Sequence, residues 1–185
     1  MVFGGLIIIP KYQKLLTHKE LVKRVRCGDM ELGYTYNDGG RGKAGYRGEA
    51  RDCVCRAIAI LTESPYEEVY QRISEFNRKL GRPASARNGV TWKQVPKLLE
   101  LFGFERMKLP PVKPTYREAY YTFGDCLVST TKHVAALKDG LLQDIVDGRE
   151  YDYFDATHER KARSVYVLRR CRHGASSEKR RMLHD

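Results

Sequence analysis

No Cys-x-x-Cys pair, no internal repeat and no apolar run long enough to cross a bilayer occur in this chain of 185 residues. Its five cysteines, Cys27, Cys53, Cys55, Cys126 and Cys171, are odd in number and irregular in spacing. That pattern argues against a disulfide framework and for a reducing compartment, the cytoplasm. A zinc site assembled from Cys53, Cys55, Cys171 and His173 would rest on Cys-x-Cys and Cys-x-His spacings that suit the metal poorly, so no metal or other cofactor is expected. The apolar segment 2–10 is too short for a membrane span, and its basic residues follow it where a secretory signal needs them in front. A strand or a segment packed on the domain is expected there, with no membrane partner. The glycine-dense stretch 33–51 has no Gly-Lys-Ser/Thr element and no evident strand before it, so it is expected to be loop lining a cleft and not a phosphate cradle.

Acidic residues are in short supply, 23 Asp/Glu against 34 Lys/Arg, for a net charge of +11. The imbalance is local. Residues 1–26 carry six Lys/Arg against Glu20, and residues 159–185 carry nine against Glu159, Glu178 and Asp185, which accounts for the whole surplus. The body is formally neutral and the ends are basic. Such ends serve as solubilising tails or attach loosely to nucleic acid or another polyanion, and no motif that reads bases is visible. The length suits one domain with a real core, which divides the chain into a basic N-terminal extension (1–32), a domain (33–170) and a basic C-terminal tail (171–185). The sequence carries no sign of oligomeric state.

Helices are expected first and strands second. Asp52 is placed to cap a nearly all-apolar helix that begins at Cys53, with Ala57, Ile58, Ile60 and Leu61 buried. Ser64-Pro65-Tyr66-Glu67 reads as a capping box with Pro at the first helical position, followed by Tyr66, Val69, Tyr70, Ile73, Phe76 and Leu80 at helical spacing. A third helix is expected over 91–102, its regular part beginning near Val95 because of Pro96, and Gly103 ends it. The aromatic segment Tyr116–Phe123 is expected to pack in the core. Residues 126–129, 133–137, 141–145 and 164–169 read as short strands, with Lys138-Asp139-Gly140 as a hairpin turn. The fold class is α+β, with the Cys53 helix central and packed on a C-terminal antiparallel sheet.

Cys53 lies at a helix N-terminus, where unpaired N–H groups and the dipole favour thiolate. His133 opens the hairpin, and the turn sets Asp144 opposite Ala135 and diagonal to the histidine, with Asp147 in reserve if the register differs. Thiol, imidazole and carboxylate in that order can serve as nucleophile, base and orienter. Cys55, two positions on, faces another side of the helix and is expected to pack. The Cys53 backbone N–H is a natural donor to a developing oxyanion; no amide side chain stands in 47–52 to supply a second, and Asn37 or Arg51 could substitute.

The strings Tyr36-Asn37-Asp38-Gly39-Gly40-Arg41, Asp52-Cys53-Val54-Cys55-Arg56-Ala57-Ile58-Ala59, Ser64-Pro65-Tyr66-Glu67-Glu68-Val69-Tyr70, Ala86-Arg87-Asn88-Gly89-Val90 and the hairpin from His133 to Asp144 resemble, in the same order over residues 34–155, an uncharacterised family of phage and bacterial proteins. That family is similar to papain-like cysteine peptidases, especially the bacteriocin-processing, double-glycine type. The resemblance implies a papain-like domain with Cys53 as nucleophile, His133 as base and Asp144 as orienter, acting in the host cytoplasm if phage-encoded. A papain-type signature puts a large aromatic directly after the nucleophile, and neither Cys53 nor Cys55 has one, which keeps Cys55 as the alternative thiol. The implied function is hydrolysis of a peptide, isopeptide or other amide bond, with a protein or peptide as substrate. Two alternatives stand beside it: a catalytically silent domain that binds a host protein or nucleic acid through its basic ends, and an acyltransferase on the same site.

Overall fold

All eight residues from Val54 to Leu61 are buried, and all but Arg56 are apolar, so helix α1 (Cys53–Thr62) is a core helix from its second residue on. The computed structural model describes residues 31–147 and 160–169 in full and, outside these, the strand backbones at Leu6–Ile9, Tyr12–Thr17, Glu150–Asp152 and Asp155–Glu159. Much of the basic ends on which a polyanion contact is expected, residues 18–30 and 170–185 with Cys27, Cys171 and His173 included, lies outside the described residues. Three further helices follow α1 among the described residues: α2 (Tyr66–Lys79), α3 (Val95–Leu101) and α4 (Tyr116–Phe123). In chain order the strands are β1 (Leu6–Ile9), β2 (Tyr12–Thr17), β3 (Gly33–Tyr36), β4 (Phe104–Arg106), β5 (Cys126–Ser129), β6 (Val134–Lys138), β7 (Leu141–Asp144), β8 (Glu150–Asp152), β9 (Asp155–Glu159) and β10 (Ser164–Leu168).

The central sheet has six strands in the order β3-β7-β6-β5-β10-β4, and its class is α+β. Period-two alternation along the strands sorts their side chains between two cores. Leu127, Val134, Ala136 and Tyr166 pack with α1, α2 and α3, whereas Cys126, Val128, Ala135, Leu137 and Val165 pack with Tyr116, Ala119 and Tyr120 of α4. Both faces of β5 and β6 are therefore covered, and these strands are buried throughout except for Lys138. Helix α1 lies against β5, β6 and β7. The β6–β7 hairpin pairs Lys138 with Leu141 across Asp139 (φ 53°) and Gly140 (φ 78°), and positive φ at both central residues is the type I′ geometry that suits strand twist.

Three expectations are corrected, and the segment expected to pack in the core, Tyr116–Phe123, packs there as a helix. The sheet is mixed: residues 33–36, expected as loop, form β3, which pairs in parallel with β7 from Gly33↔Leu141 to Tyr36↔Asp144. A parallel partner more than a hundred residues away leaves no hairpin signal, although Tyr-Thr-Tyr suits a strand. A strand thus precedes the glycine run, but the chain passes through turns at 39–45 and does not enter α1 until Cys53, so the run does not lead directly into a helix N-terminus as a phosphate cradle does. The Tyr116–Phe123 segment is a helix, closed by a capping box in which Thr115 Oγ1 accepts from the Glu118 N–H and the Glu118 carboxylate accepts from the Thr115 N–H. The box expected at Ser64 does not form, because Pro65 is extended and lies outside the helix, its carbonyl accepting the Val69 N–H. Asp52 does not cap α1 through its side chain, for the reason given below.

Candidate active site

The register Ala136↔Gln143 sets Asp144 opposite Ala135, as the hairpin turn requires. His133 precedes β6 by one residue, in a tight connection closed by the Thr130 N–H donating to the His133 carbonyl at 2.9 Å. From there its Nε2 meets Asp144 Oδ2 directly. The other carboxylate oxygen, Oδ1, accepts the Ile145 N–H at 2.7 Å, so the carboxylate is oriented before the imidazole reaches it. The end of β7 is held from the β3 side. The Asn37 N–H donates to the Asp144 carbonyl at 3.0 Å, and the Tyr34 hydroxyl donates to the same oxygen at 3.3 Å.

With Nε2 on Asp144, Nδ1 is the ring nitrogen left for a second partner, and the imidazole and the Cys53 thiol are close enough to shift each other's titration. Cys53 is half-buried at the start of α1. Burial pushes its thiol up, but the hydrogen bond and charge of His133, the Val134 backbone N–H and the Arg56 guanidinium together pull it below the ordinary thiol range. His133 moves the other way. Burial opposes its charge, yet the bonds to Asp144 and Cys53 and the negative charge of both outweigh that penalty, and the imidazole is pushed up to about 9. The two shifts together favour transfer of the thiol proton to the imidazole.

The remaining described cysteines are placed for packing. Cys55 is 1% exposed, and burial pushes its thiol up to about 12. Cys126 is fully buried, and burial raises its thiol as well. Asp147 is exposed beyond the end of β7. Asn37 is committed elsewhere: its Nδ2 donates to Gln143 Oε1 at 2.8 Å and its Oδ1 accepts the Gly39 N–H at 2.8 Å. That ties the glycine-rich loop to β7 instead of presenting an amide to a substrate oxygen. Arg51 is exposed on the wall of a cleft beside the helix start.

Sequence reasoning missed the cluster beside Cys53. Asp52 is 1% exposed; its carboxylate accepts from Arg56 Nη1 on Oδ1 and from the Tyr66 hydroxyl on Oδ2 at 2.5 Å, and Arg41 Nε forms an ion pair with Oδ2 at 3.0 Å. A carboxylate drawn into that cluster is not available to cap the helix, so the first turn of α1 keeps its N–H groups clear of an acidic side chain. Two guanidiniums against one carboxylate also leave a surplus positive charge one residue from Cys53. The i, i+4 spacing of Asp52 and Arg56 is a legible helix pair, whereas Tyr66 comes from the next helix and Arg41 from the loop, with no local signal.

The turn beside Arg51 is built tightly. The Arg51 N–H donates to the Arg87 carbonyl at 2.9 Å, and buried Asn77 donates to the Ser85 carbonyl at 2.8 Å. Gly89 has φ +74°, and a Cβ there would lie 2.7 Å from the Arg51 carbonyl oxygen. Gly89→Ala should therefore lower stability by about 1–3 kcal/mol, read from a urea melt, through backbone strain and displacement of the loop leading to Cys53.

On the far side of the His133–Asp144 pair a pocket of about 210 Å³ is lined by Tyr116, Leu142 and Arg160 among others; burial pushes the Tyr116 hydroxyl up to about 12. Among the described residues, no helix is long and apolar enough to cross a membrane. Compared with models of protein families, with curated proteins and with solved structures, the chain matches none.

Proposed function

We propose that the chain is a papain-like thiol hydrolase acting on a peptide, isopeptide or other amide bond. The observation that carries this reading is the direct His133–Asp144 pair with Cys53 coupled to the imidazole at the start of α1, the thiol lowered and the imidazole raised. The Cys53 thiolate attacks the carbonyl carbon, and the developing oxyanion meets the Cys53 backbone N–H at the start of α1. The tetrahedral adduct collapses as the C–N bond breaks and the His133 imidazolium gives its proton to the departing amine. A thioester remains on Cys53. His133, now neutral, takes a proton from water as the water attacks the thioester; the acid leaves and the thiolate–imidazolium pair is restored. Asp144 holds the ring and stabilises its charged form throughout.

Reactivity of the thiol tests the first step without knowledge of the substrate. Iodoacetamide at mildly acidic pH should alkylate Cys53 before Cys55 and Cys126, as mapped by peptide mass spectrometry, and His133→Ala should slow that labelling by removing the imidazolium partner. Equal labelling of these three cysteines would refute an activated thiol and favour a silent binding domain. A second test is turnover: wild type should cleave members of a mixed peptide library that Cys53→Ala leaves intact. Transfer of the acyl group to an added amine in the same assay would identify the acyltransferase alternative.

A further inference from the structure

A cleft of about 730 Å³ opens beside the start of α1, and four arginines, Arg41, Arg51, Arg56 and Arg87, line it against two carboxylates, Asp38 and Glu49. It adjoins both ends of the catalytic chain. Arg51 stands two residues before Cys53; Tyr36, also on the cleft wall, pairs with Asp144, and Ile145 follows Asp144. The charges on its walls are not equivalent. Arg41 and Arg56 share Asp52, and Asp38 is turned into its own loop, where its carboxylate accepts the Gly40 and Gly42 N–H groups at 2.9 and 2.8 Å. Arg51 and Arg87 are both exposed, and neither guanidinium has a carboxylate partner among the described residues. The backbone bond from Arg51 to Arg87 and the close approach of Gly89 fix the two residues side by side.

We propose that this cleft is a subsite for an acidic peptide segment, with Arg51 and Arg87 as the pair that receives aspartate or glutamate side chains. The proposal deepens the thiol-hydrolase reading and rests on it for the meaning of cleavage next to the cleft, though not for binding. Guanidinium is the group best matched to a carboxylate, through two parallel N–H donors. Asp38 and Glu49 on the same walls repel a continuous polyphosphate backbone more than they repel isolated carboxylates that address the arginines one at a time. A peptide is also the partner whose backbone amides the neighbouring Cys53 could attack, so an acidic peptide fits both cleft and site where a nucleic acid fits only the charge.

The test uses the full chain as Cys53→Ala, which separates binding from turnover, and fluorescence anisotropy of a labelled peptide bearing paired glutamates, its glutamine counterpart and a single-stranded oligonucleotide. The glutamate peptide should bind roughly tenfold more tightly than the glutamine peptide at low salt, and the gap should narrow as salt is raised. Arg51→Gln with Arg87→Gln should abolish the preference in a protein whose thermal melt shows it folded, and Arg51→Lys with Arg87→Lys should keep part of it because the charge remains. Equal affinity for the two peptides would overturn the proposal. So would a preference that survives the glutamine double variant, since it would then belong to the basic ends, or displacement of the acidic peptide by the oligonucleotide at lower concentration. If Cys53 in the wild type proves unreactive while the preference holds, the hydrolase reading falls and the acidic-peptide cleft stands.

Discussion

Asp52→Ala should destabilise the protein by about 3–5 kcal/mol, the range for breaking a buried ion pair by removing one partner. The carboxylate is 1% exposed and Arg56, its helical neighbour, is 6% exposed, so alanine leaves a guanidinium charge inside the fold with no anion beside it. The Tyr66 hydroxyl loses its acceptor at the same time, and Arg41 loses the contact that joins the glycine-rich loop to the start of α1. For a chain of this size the loss corresponds to a melting temperature lower by roughly 6–20 °C. Asp52→Leu combined with Arg56→Met removes both charges and should cost less than the single change, because no unpaired ion remains. A loss under about 1 kcal/mol for Asp52→Ala would mean that desolvation and attraction nearly cancel in the native cluster. The same variant should slow alkylation of Cys53, since the helix start that carries the thiol is tied through Asp52.

Asp144→Asn should lower kcat/KM for any amide substrate by on the order of 10²–10⁴-fold, as expected where the orienting carboxylate of a triad is replaced by its amide. The pH profile carries the mechanism. In wild type the alkylation rate of Cys53 should rise first below the ordinary thiol range, as the ion pair forms, and again near pH 9, as His133 gives up its proton. With asparagine at 144 the hydrogen bond and negative charge that hold the imidazolium are gone, so the upper step should fall toward the ordinary histidine value of about 6.5. An upper step that stays near 9 in Asp144→Asn would detach the carboxylate from the imidazole. Stability follows with opposite signs at the two groups. The raised His133 contributes stability that is full below about 6.5 and is lost as pH rises through its folded value, whereas the lowered Cys53 contributes stability that is lost as pH falls through its own. The slopes offset each other in wild type, so Cys53→Ala, which leaves the histidine slope alone, should lose stability as pH rises above about 6.5.

Much of the site was legible because its geometry is local. The bounds of β5 coincide with residues 126–129, and the two-residue turn at Asp139-Gly140 sets the strand pairing that carries Asp144 opposite Ala135. The start of α1 at Cys53 follows from a polar residue and glycine-rich loop giving way to an apolar run. The exceptions share a cause. Strand β3 has its partner in β7, far along the chain, and its glycine-rich neighbours give it the local signature of a loop. Helix α4 was hidden by an aromatic composition that reads as packing, although Thr115 and Glu118 carry the capping-box spacing. Asn37, expected to offer an oxyanion donor, and Asp52, expected to cap α1, have side chains drawn away by other partners, Gln143 in one case and Arg41, Arg56 and Tyr66 in the other.

The amino-acid order alone determined the α+β class, the helix that opens with Cys53, and the hairpin that carries His133 and Asp144. Each of these depends on hydrophobic patterning or a two-residue turn acting over a few residues. Only the tertiary structure decided that the thiol lies beside the imidazole, since Cys53 and His133 are 80 positions apart and are brought together by burial of the α1 side chains against the sheet. It also decided the charges. The lowered Cys53, the raised His133 and the arginine pair beside them arise from burial and from neighbours that are close in space and remote in the chain. Electrostatic interaction depends on distance and dielectric surroundings, and neither is set until the fold closes.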